Sequence, residues 1–165
     1  MTQSKIVVIG GGSFGTAIAN ILAENNFPTV LWVRDAQKAA AIQTTRENTT
    51  YLPGLKLDAR LQVSADLASA LFEAAIVFVS VPSKVFRSVV QQMRHFLSPN
   101  AIVVSTAKGI ETGENHHGFW LMSDVLKQEL PNHRMAVLSG PNLAGEIAEK
   151  QLTGTVVASA DAAVC

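Results

Sequence analysis

Short apolar runs alternate along the chain with stretches whose apolar positions recur at helical spacing. Ile6-Val7-Val8-Ile9 is unbroken and stops in glycines, as a parallel strand buried on both faces does. Residues 14–26 follow with Ile18, Ile21 and Leu22 at helical spacing and Asn25-Asn26 as a stop. The same reasoning predicts strands at 29–33, 61–63, 75–81, 101–105, 135–138 and 155–158. It predicts helices at 36–43, at 65–72 with Ser64 as cap, at 83–97 with Val85, Val89 and Met93 on one face, at 119–130 and at 142–149. Residues 44–58 lack periodicity and carry Pro53-Gly54, so they read as a loop. The stretch 159–165 has alanines and Asp161 but no stop signal, which suits the opening of another helix. Strands alternating with helices imply an α/β fold with a parallel sheet covered on both faces. Trp32 and Trp120 are expected in its core.

Composition narrows the picture. The 165 residues suit one domain, 1–165, and 48% hydrophobic content supplies a core. Thirteen basic and thirteen acidic residues cancel, so no positive field draws nucleic acid or anionic lipid, although local backbone can still hold a small anion. No apolar run approaches the ~18 residues of a membrane helix, so no integral membrane contact is expected. The apolar start at Ile6 ends in glycines after four residues, too short for a signal peptide. The single cysteine, Cys165, rules out an internal disulfide and fits a reduced, cytoplasmic setting.

The candidate chemistry begins at Gly10-Gly11-Gly12-Ser13-Phe14-Gly15, which fits G-x-G-x-x-G between a strand and a helix. Gly10 permits the tight turn, Gly12 lets a pyrophosphate approach the backbone, and Gly15 lets the helix pack on the sheet. Free N–H groups at the helix start then hold the anion. The competing reading is a glycine-rich turn without a ligand. No Gly-Lys-Ser/Thr follows, which excludes a P-loop. The pattern makes the fold a Rossmann-type doubly wound sheet binding a dinucleotide. At the end of the second strand Arg34 suits the 2′-phosphate of NADP(H), while Asp35 keeps NAD(H) open; Arg34 can equally be a solvated residue.

Three further strand ends carry unusual residues. Val81-Pro82-Ser83 forces a turn, either across the cofactor or as a plain N-cap. Lys108-Gly109 points a lysine at the cleft, able to bind a phosphate or polarise a carbonyl, or is simply surface. Ser139-Gly140-Pro141-Asn142 can hold substrate or nicotinamide, or cap a helix. His116-His117 reads as a solvated loop, and no metal-ligand spacing occurs. Gly-x-Ser-x-Gly is absent, so no serine nucleophile is placed.

Taken together, Gly10-Gly11-Gly12-Ser13-Phe14-Gly15-Thr16-Ala17, Leu31-Trp32-Val33-Arg34, Tyr51-Leu52-Pro53-Gly54, Val81-Pro82-Ser83, Lys108-Gly109-Ile110-Glu111 and Ser139-Gly140-Pro141-Asn142-Leu143-Ala144-Gly145-Glu146 resemble NAD(P)-dependent glycerol-3-phosphate dehydrogenase of the bacterial biosynthetic type, from Ile6 to about Val157. The resemblance implies cofactor contacts at Ser13, Phe14, Arg34, Lys108 and Ala144, with Tyr51 bordering the cofactor cleft. It implies substrate contacts at Lys108, Gly140 and Asn142, where many bacterial members carry a hydroxyl residue in place of Asn142. The implied reaction passes hydride between nicotinamide C4 and C2 of dihydroxyacetone phosphate, giving sn-glycerol 3-phosphate for phospholipid synthesis. The implied full-length enzyme is a homodimer about twice this length. Its second, helical domain supplies an acid/base lysine and an arginine-asparagine phosphate site. The chain is therefore expected to be the amino-terminal half, with Lys108 only assisting catalysis and little or no turnover alone. Residues 111–119 look longer and more polar than the family pattern.

Two other classes compete. A non-catalytic dinucleotide sensor shares the fold, but would not need the motifs at Lys108 and Asn142. A methyltransferase would want an acidic residue where Arg34 stands.

Overall fold

The computed structural model describes residues 4–112 and 118–164, so the expectations for His116-His117 and Cys165 lie outside the described residues. In chain order the elements are β1 (Ile6–Ile9), α1 (Ser13–Glu24), β2 (Thr29–Trp32), α2 (Ala36–Thr45), β3 (Gln62–Ser64), α3 (Leu67–Leu71), β4 (Ile76–Val79) and α4 (Ser83–Met93). They continue with β5 (Ile102–Ser105), β6 (Ile110–Thr112), β7 (Phe119–Leu121), α5 (Met122–Glu129), β8 (Arg134–Ser139), α6 (Ala144–Ala148) and β9 (Val156–Ala158).

Seven strands form one sheet in the order β3-β2-β1-β4-β5-β8-β9. The first six are parallel, and β9 closes the edge antiparallel to β8. The sheet is thus the doubly wound one expected. The run Ile6–Ile9 is apolar throughout because both faces are covered. Val7 and Ile9 join Val77, Val79, Phe86, Val90 and Leu126 beneath α3, α4 and α5. Val8 joins Leu31, Ala19, Ala23 and Ile42 beneath α1 and α2. A fully buried side chain such as Phe86 contributes about 1.5–3 kcal/mol. Strand order reverses between β1 and β4, and the crevice above their carboxyl ends is where such sheets bind ligands.

Several boundaries differ from expectation. Residues 119–121 are not helical: Ile110 pairs with Leu121 and Thr112 with Phe119 in a hairpin outside the main sheet. α5 starts only at Met122, where Asp124 accepts the Leu121 N–H at 3.1 Å. Trp120 is half-buried against the core rather than within it, whereas Trp32 is buried and donates to Ala65 O at 3.0 Å. Asp66, not Ser64, caps α3; the Ser64 hydroxyl accepts from Asp66 N instead, at 3.0 Å. α4 buries Phe86, Val89, Val90 and Met93, and ends at Met93 rather than running to 97. Residues 159–164 turn on Asp161, which accepts from Ala163 N and pairs with Arg134, and open no helix.

Candidate functional site

The glycine loop lies at the switch point. Gly10 has φ +118°, and a Cβ there would stand 2.4 Å from Ser80 O. At Gly15 a Cβ would stand 2.1 Å from Gly10 O, so α1 packs on the loop with no room for a side chain. A Cβ built on Gly12 would meet nothing within 4 Å. Gly12 is the N-cap of α1, and neither a side-chain cap nor an acidic residue occupies the first turn. The first-turn N–H groups therefore face open space with the positive end of the helix dipole behind them. The tight turn expected at Gly10 and the close packing expected at Gly15 are both present.

A cleft of about 380 Å³ runs from this loop over Trp32, Val33, Arg34, Asp35 and Lys38 to Tyr51 on one side, and over Ser80, Val81, Pro82, Val85 and Val89 on the other. Asp35 is exposed and lines the same cleft. It caps α2, its carboxylate accepting from Lys38 N at 3.0 Å. Arg34 is exposed at the mouth, and Lys38 Nζ sits 5.9 Å over the Tyr51 ring. Two cations thus flank this end of the cleft. Pro82 precedes Ser83, the first residue of α4, and forms part of the cleft wall.

The loop from 46 to 61 is held down by polar clamps. The Arg46 guanidinium donates to Asp58 O and Leu61 O, and buried Asn20 accepts Asp58 N at 2.7 Å. Hydrogen bonds from the Arg60 side chain and backbone hold the Asp58 carboxyl well below the usual carboxylate range. Ser13 Oγ donates to Tyr51 O at 2.5 Å. Asn48, almost wholly buried, donates to Gly11 O at 2.9 Å and to Thr16 Oγ1 at 2.8 Å.

A second cavity of about 290 Å³ adjoins the first through Ser80 and Val81. Ser13, Phe14, Thr106, Ala107, Lys108, Asn142, Leu143 and Ala144 complete its wall. Lys108 is the one ionisable side chain lining it among the described residues. The turn after Lys108 needs Gly109, at φ +118°, and leads into β6. Arg87 of α4 ties that strand to α5, binding Glu111 at 2.6 Å, Gln128 at 2.8 Å and Glu129 at 2.5 Å.

With the geometry in place, comparison is decisive. Residues 5–165 match the family described as NAD-dependent glycerol-3-phosphate dehydrogenase N-terminus. The chain belongs to this family. It is 52% identical over 160 residues to a glycerol-3-phosphate dehydrogenase, NAD(P)+, of Teredinibacter turnerae, covering 96% of this chain and 46% of that protein. It is 50% identical over 163 residues to the enzyme of the same name from Alcanivorax borkumensis, covering 98% and 46%. A crystal structure of glycerol-3-phosphate dehydrogenase from Coxiella burnetii superimposes with a TM-score of 0.91 at 29% identity, covering 99% of this chain and 49% of that one. The chain spans about half the length of these family members.

Most of the residues singled out in the sequence gather at the two cavities: Gly10, Gly12, Arg34, Tyr51 and Pro82 at the first, Ser13, Phe14, Lys108, Asn142 and Ala144 at the second. Gly15 lies behind the loop, as its packing task requires. Gly140 lines neither cavity. Its φ is +145°, and a Cβ there would stand 2.4 Å from Gly154 O, so its glycine is explained by the approach of the returning chain. Asn142 is buried at the edge of the second cavity, and its Oδ1 accepts from Thr155 Oγ1 at 3.0 Å. The sequence reading missed Lys38 and Asn48. Lys38 stands in the first turn of α2, just after Arg34 and the N-cap Asp35. Asn48 carries no local motif, and only tertiary packing brings it to the loop.

Proposed function

We propose that this chain seats NADP(H), or NAD(H), along the carboxyl edge of its sheet, with the diphosphate on the glycine loop and the nicotinamide in the second cavity. The observation that carries this is the open Gly12 amide end of α1 at the β1/β4 switch point. The residues present fit the group: unpaired N–H groups await an anion where any side chain would intrude. Arg34 and Lys38 beside the first cleft favour the nucleotide bearing a 2′-phosphate, while Asp35 lends one carboxylate oxygen to capping α2. When bound, the cofactor supplies or accepts the hydride exchanged with C2 of dihydroxyacetone phosphate or sn-glycerol 3-phosphate.

The chain's own part in that exchange is positioning and charge. Phe14 and Ala144 shape the second cavity, Asn142 offers an amide donor, and Lys108 sets a positive charge toward a substrate phosphate or developing alkoxide. We place the chain as the dinucleotide-binding part, 1–165, of a cytoplasmic, homodimeric enzyme that makes sn-glycerol 3-phosphate for phospholipid synthesis. Turnover by this chain alone is expected to be weak or absent, because Lys108 is the sole ionisable group offered to the substrate among the described residues. The substrate-side cavity favours this reading over a redox sensor. Among the described residues no helix is long and apolar enough to cross a membrane.

Calorimetric titration with NADPH, NADH and S-adenosylmethionine tests the proposal. Uptake of a nicotinamide nucleotide, abolished by Gly12→Val with the fold intact, is the expected outcome. Uptake of S-adenosylmethionine alone, or no uptake, sinks it. Robust NADPH oxidation with dihydroxyacetone phosphate by this chain would overturn the assisting role given to Lys108.

A further inference from the structure

The anion seat depends on which way each peptide of the glycine loop faces. A trans peptide is planar, so its C=O and N–H point in opposite directions, and fixing one aims the other. Two of these peptides are oriented by the backbone itself. Gly10 N–H donates to Trp32 O at 3.0 Å, which ties that peptide to β2. Gly12 O accepts from Thr16 N at 2.9 Å in the first helical turn, which sends the Ser13 N–H outward. The Gly11–Gly12 peptide has no such backbone bond. Glycines on both sides leave it free to rotate at little steric cost. Its carbonyl is instead taken by Asn48 Nδ2 at 2.9 Å.

We infer that Asn48 is the positioning residue of the diphosphate seat: by holding Gly11 O inward it aims the Gly12 N–H at the open space where the anion sits. This rests on the dinucleotide reading above. The two hydrogens of the Asn48 amide are both used, on Gly11 O and on Thr16 Oγ1, so the side chain has one available orientation. Thr16 is fully buried and Asn48 nearly so, and water does not compete for these bonds. The backbone of Asn48 is fixed in turn, its carbonyl accepting from Tyr51 N at 3.2 Å and Leu52 N at 2.8 Å. That turn also delivers Tyr51 O to Ser13 Oγ. The 48–52 turn is thus the outer wall of the phosphate loop.

The test separates positioning from folding. Asn48→Ala and the pair Thr16→Val and Thr16→Ser are titrated with NADPH, with inorganic diphosphate and with adenosine 2′-monophosphate, which reaches Arg34 but carries no diphosphate. Asn48→Ala is expected to weaken NADPH and diphosphate about tenfold, the loss of one well-aimed hydrogen bond to an anion, with adenosine 2′-monophosphate within twofold. Thr16→Val should weaken NADPH severalfold and Thr16→Ser restore it. NADPH affinity unchanged in Asn48→Ala overturns the inference, and so does an equal loss for adenosine 2′-monophosphate, which would make Asn48 a mere wall. Should Asn48→Ala fail to fold, the threonine pair decides, and equal affinities for Thr16→Val and Thr16→Ser overturn it. Wild-type protein that takes up neither NADPH nor NADH overturns the dinucleotide reading itself, a result distinct from wild-type uptake with indifferent variants.

Discussion

Around the glycine loop, β2 is buried throughout and α1 buries Ala17, Ile18, Ala19 and Ala23, and Asn20, Arg46 and Asn48 fasten the adjoining loop by side-chain bonds to backbone. At the opposite edge α6 has no buried residue, β9 is exposed throughout, and Leu143 and Leu152 are 60% and 104% exposed. Both regions contribute to one cleft. The nucleotide side is held by the core of the domain, whereas Asn142 and Ala144 hang on a short helix and an edge strand. Local stability follows buried contacts, so the anion seat is rigid before any ligand arrives while the substrate side opens readily. On the proposed function the difference separates two tasks: binding a diphosphate through aimed amides, which demands rigidity, and presenting a substrate wall, which here carries little of the fold's stability.

Hydrogen exchange gives the widest separation. Amides of β1 and β4 should exchange only through global unfolding, and those of α6 and β9 through local opening, a spread on the order of a thousandfold or more. Equal protection at the two ends would erase the contrast. Two glycine substitutions probe the same difference next. Gly15→Ala drives a Cβ against Gly10 O and should lose about 1–3 kcal/mol or prevent folding. Gly145→Ala, in α6 with nothing within 4 Å, should be neutral or gain up to about 1 kcal/mol of helix propensity. Urea unfolding of the two variants measures both.

Smaller again is the effect at the cation pair. Arg34→Ala should weaken NADPH about tenfold, the worth of a charged hydrogen bond to phosphate, and leave NADH within twofold. Lys38→Ala, whose cation is shared with the Tyr51 ring, should weaken NADPH about threefold. Identical losses for NADPH and NADH would remove the 2′-phosphate from the account.

The contrast also explains what could be read from residues alone. β1, β2 and β4 announce themselves because burial on both faces writes an unbroken apolar run, α1 by its helical spacing, and Gly15 follows from a demand made within six residues, the approach of Gly10 O. The β6–β7 hairpin was invisible: Phe119-Trp120-Leu121 has the apolar content of a helix start, and its pairing with Ile110–Thr112 spans a gap in sequence. At Gly140 the resemblance implies a substrate contact, while the structure supplies a packing reason for the same glycine in the approach of Gly154, which no local pattern announces. Asn48 escaped notice because a buried asparagine in an aperiodic loop is distinguished only by the carbonyl it meets in three dimensions.

The smallest expected effect is acidic. The Asp58 carboxyl is lowered chiefly by the Arg60 side-chain hydrogen bond and then by the Arg60 backbone N–H, against the opposing effect of burial. A carboxyl whose folded value lies below its unfolded value near 3.9 contributes stability that is fully present above that pH and lost as pH falls toward the folded value. Arg60 is half-exposed, so solvent screening keeps the contribution small. Asp161, lowered by Arg134 at the opposite edge, has the same sign. The two carboxylates differ in what they hold. The Asp58 carboxylate holds Arg60, whose guanidinium also donates to Asn26 Oδ1 and Glu24 O and so ties the loop that carries Asn48 and Tyr51 to the end of α1; Asp58→Asn should therefore flatten the fall in stability below pH 4 and slightly weaken NADPH binding at pH 7. Asp161→Asn should flatten the same window and leave nucleotide affinity unchanged. Thermal melts from pH 5 to 2.5 with NADPH titration at pH 7 read both quantities, and equal nucleotide affinities for the two variants would detach the 46–61 loop from the anion seat.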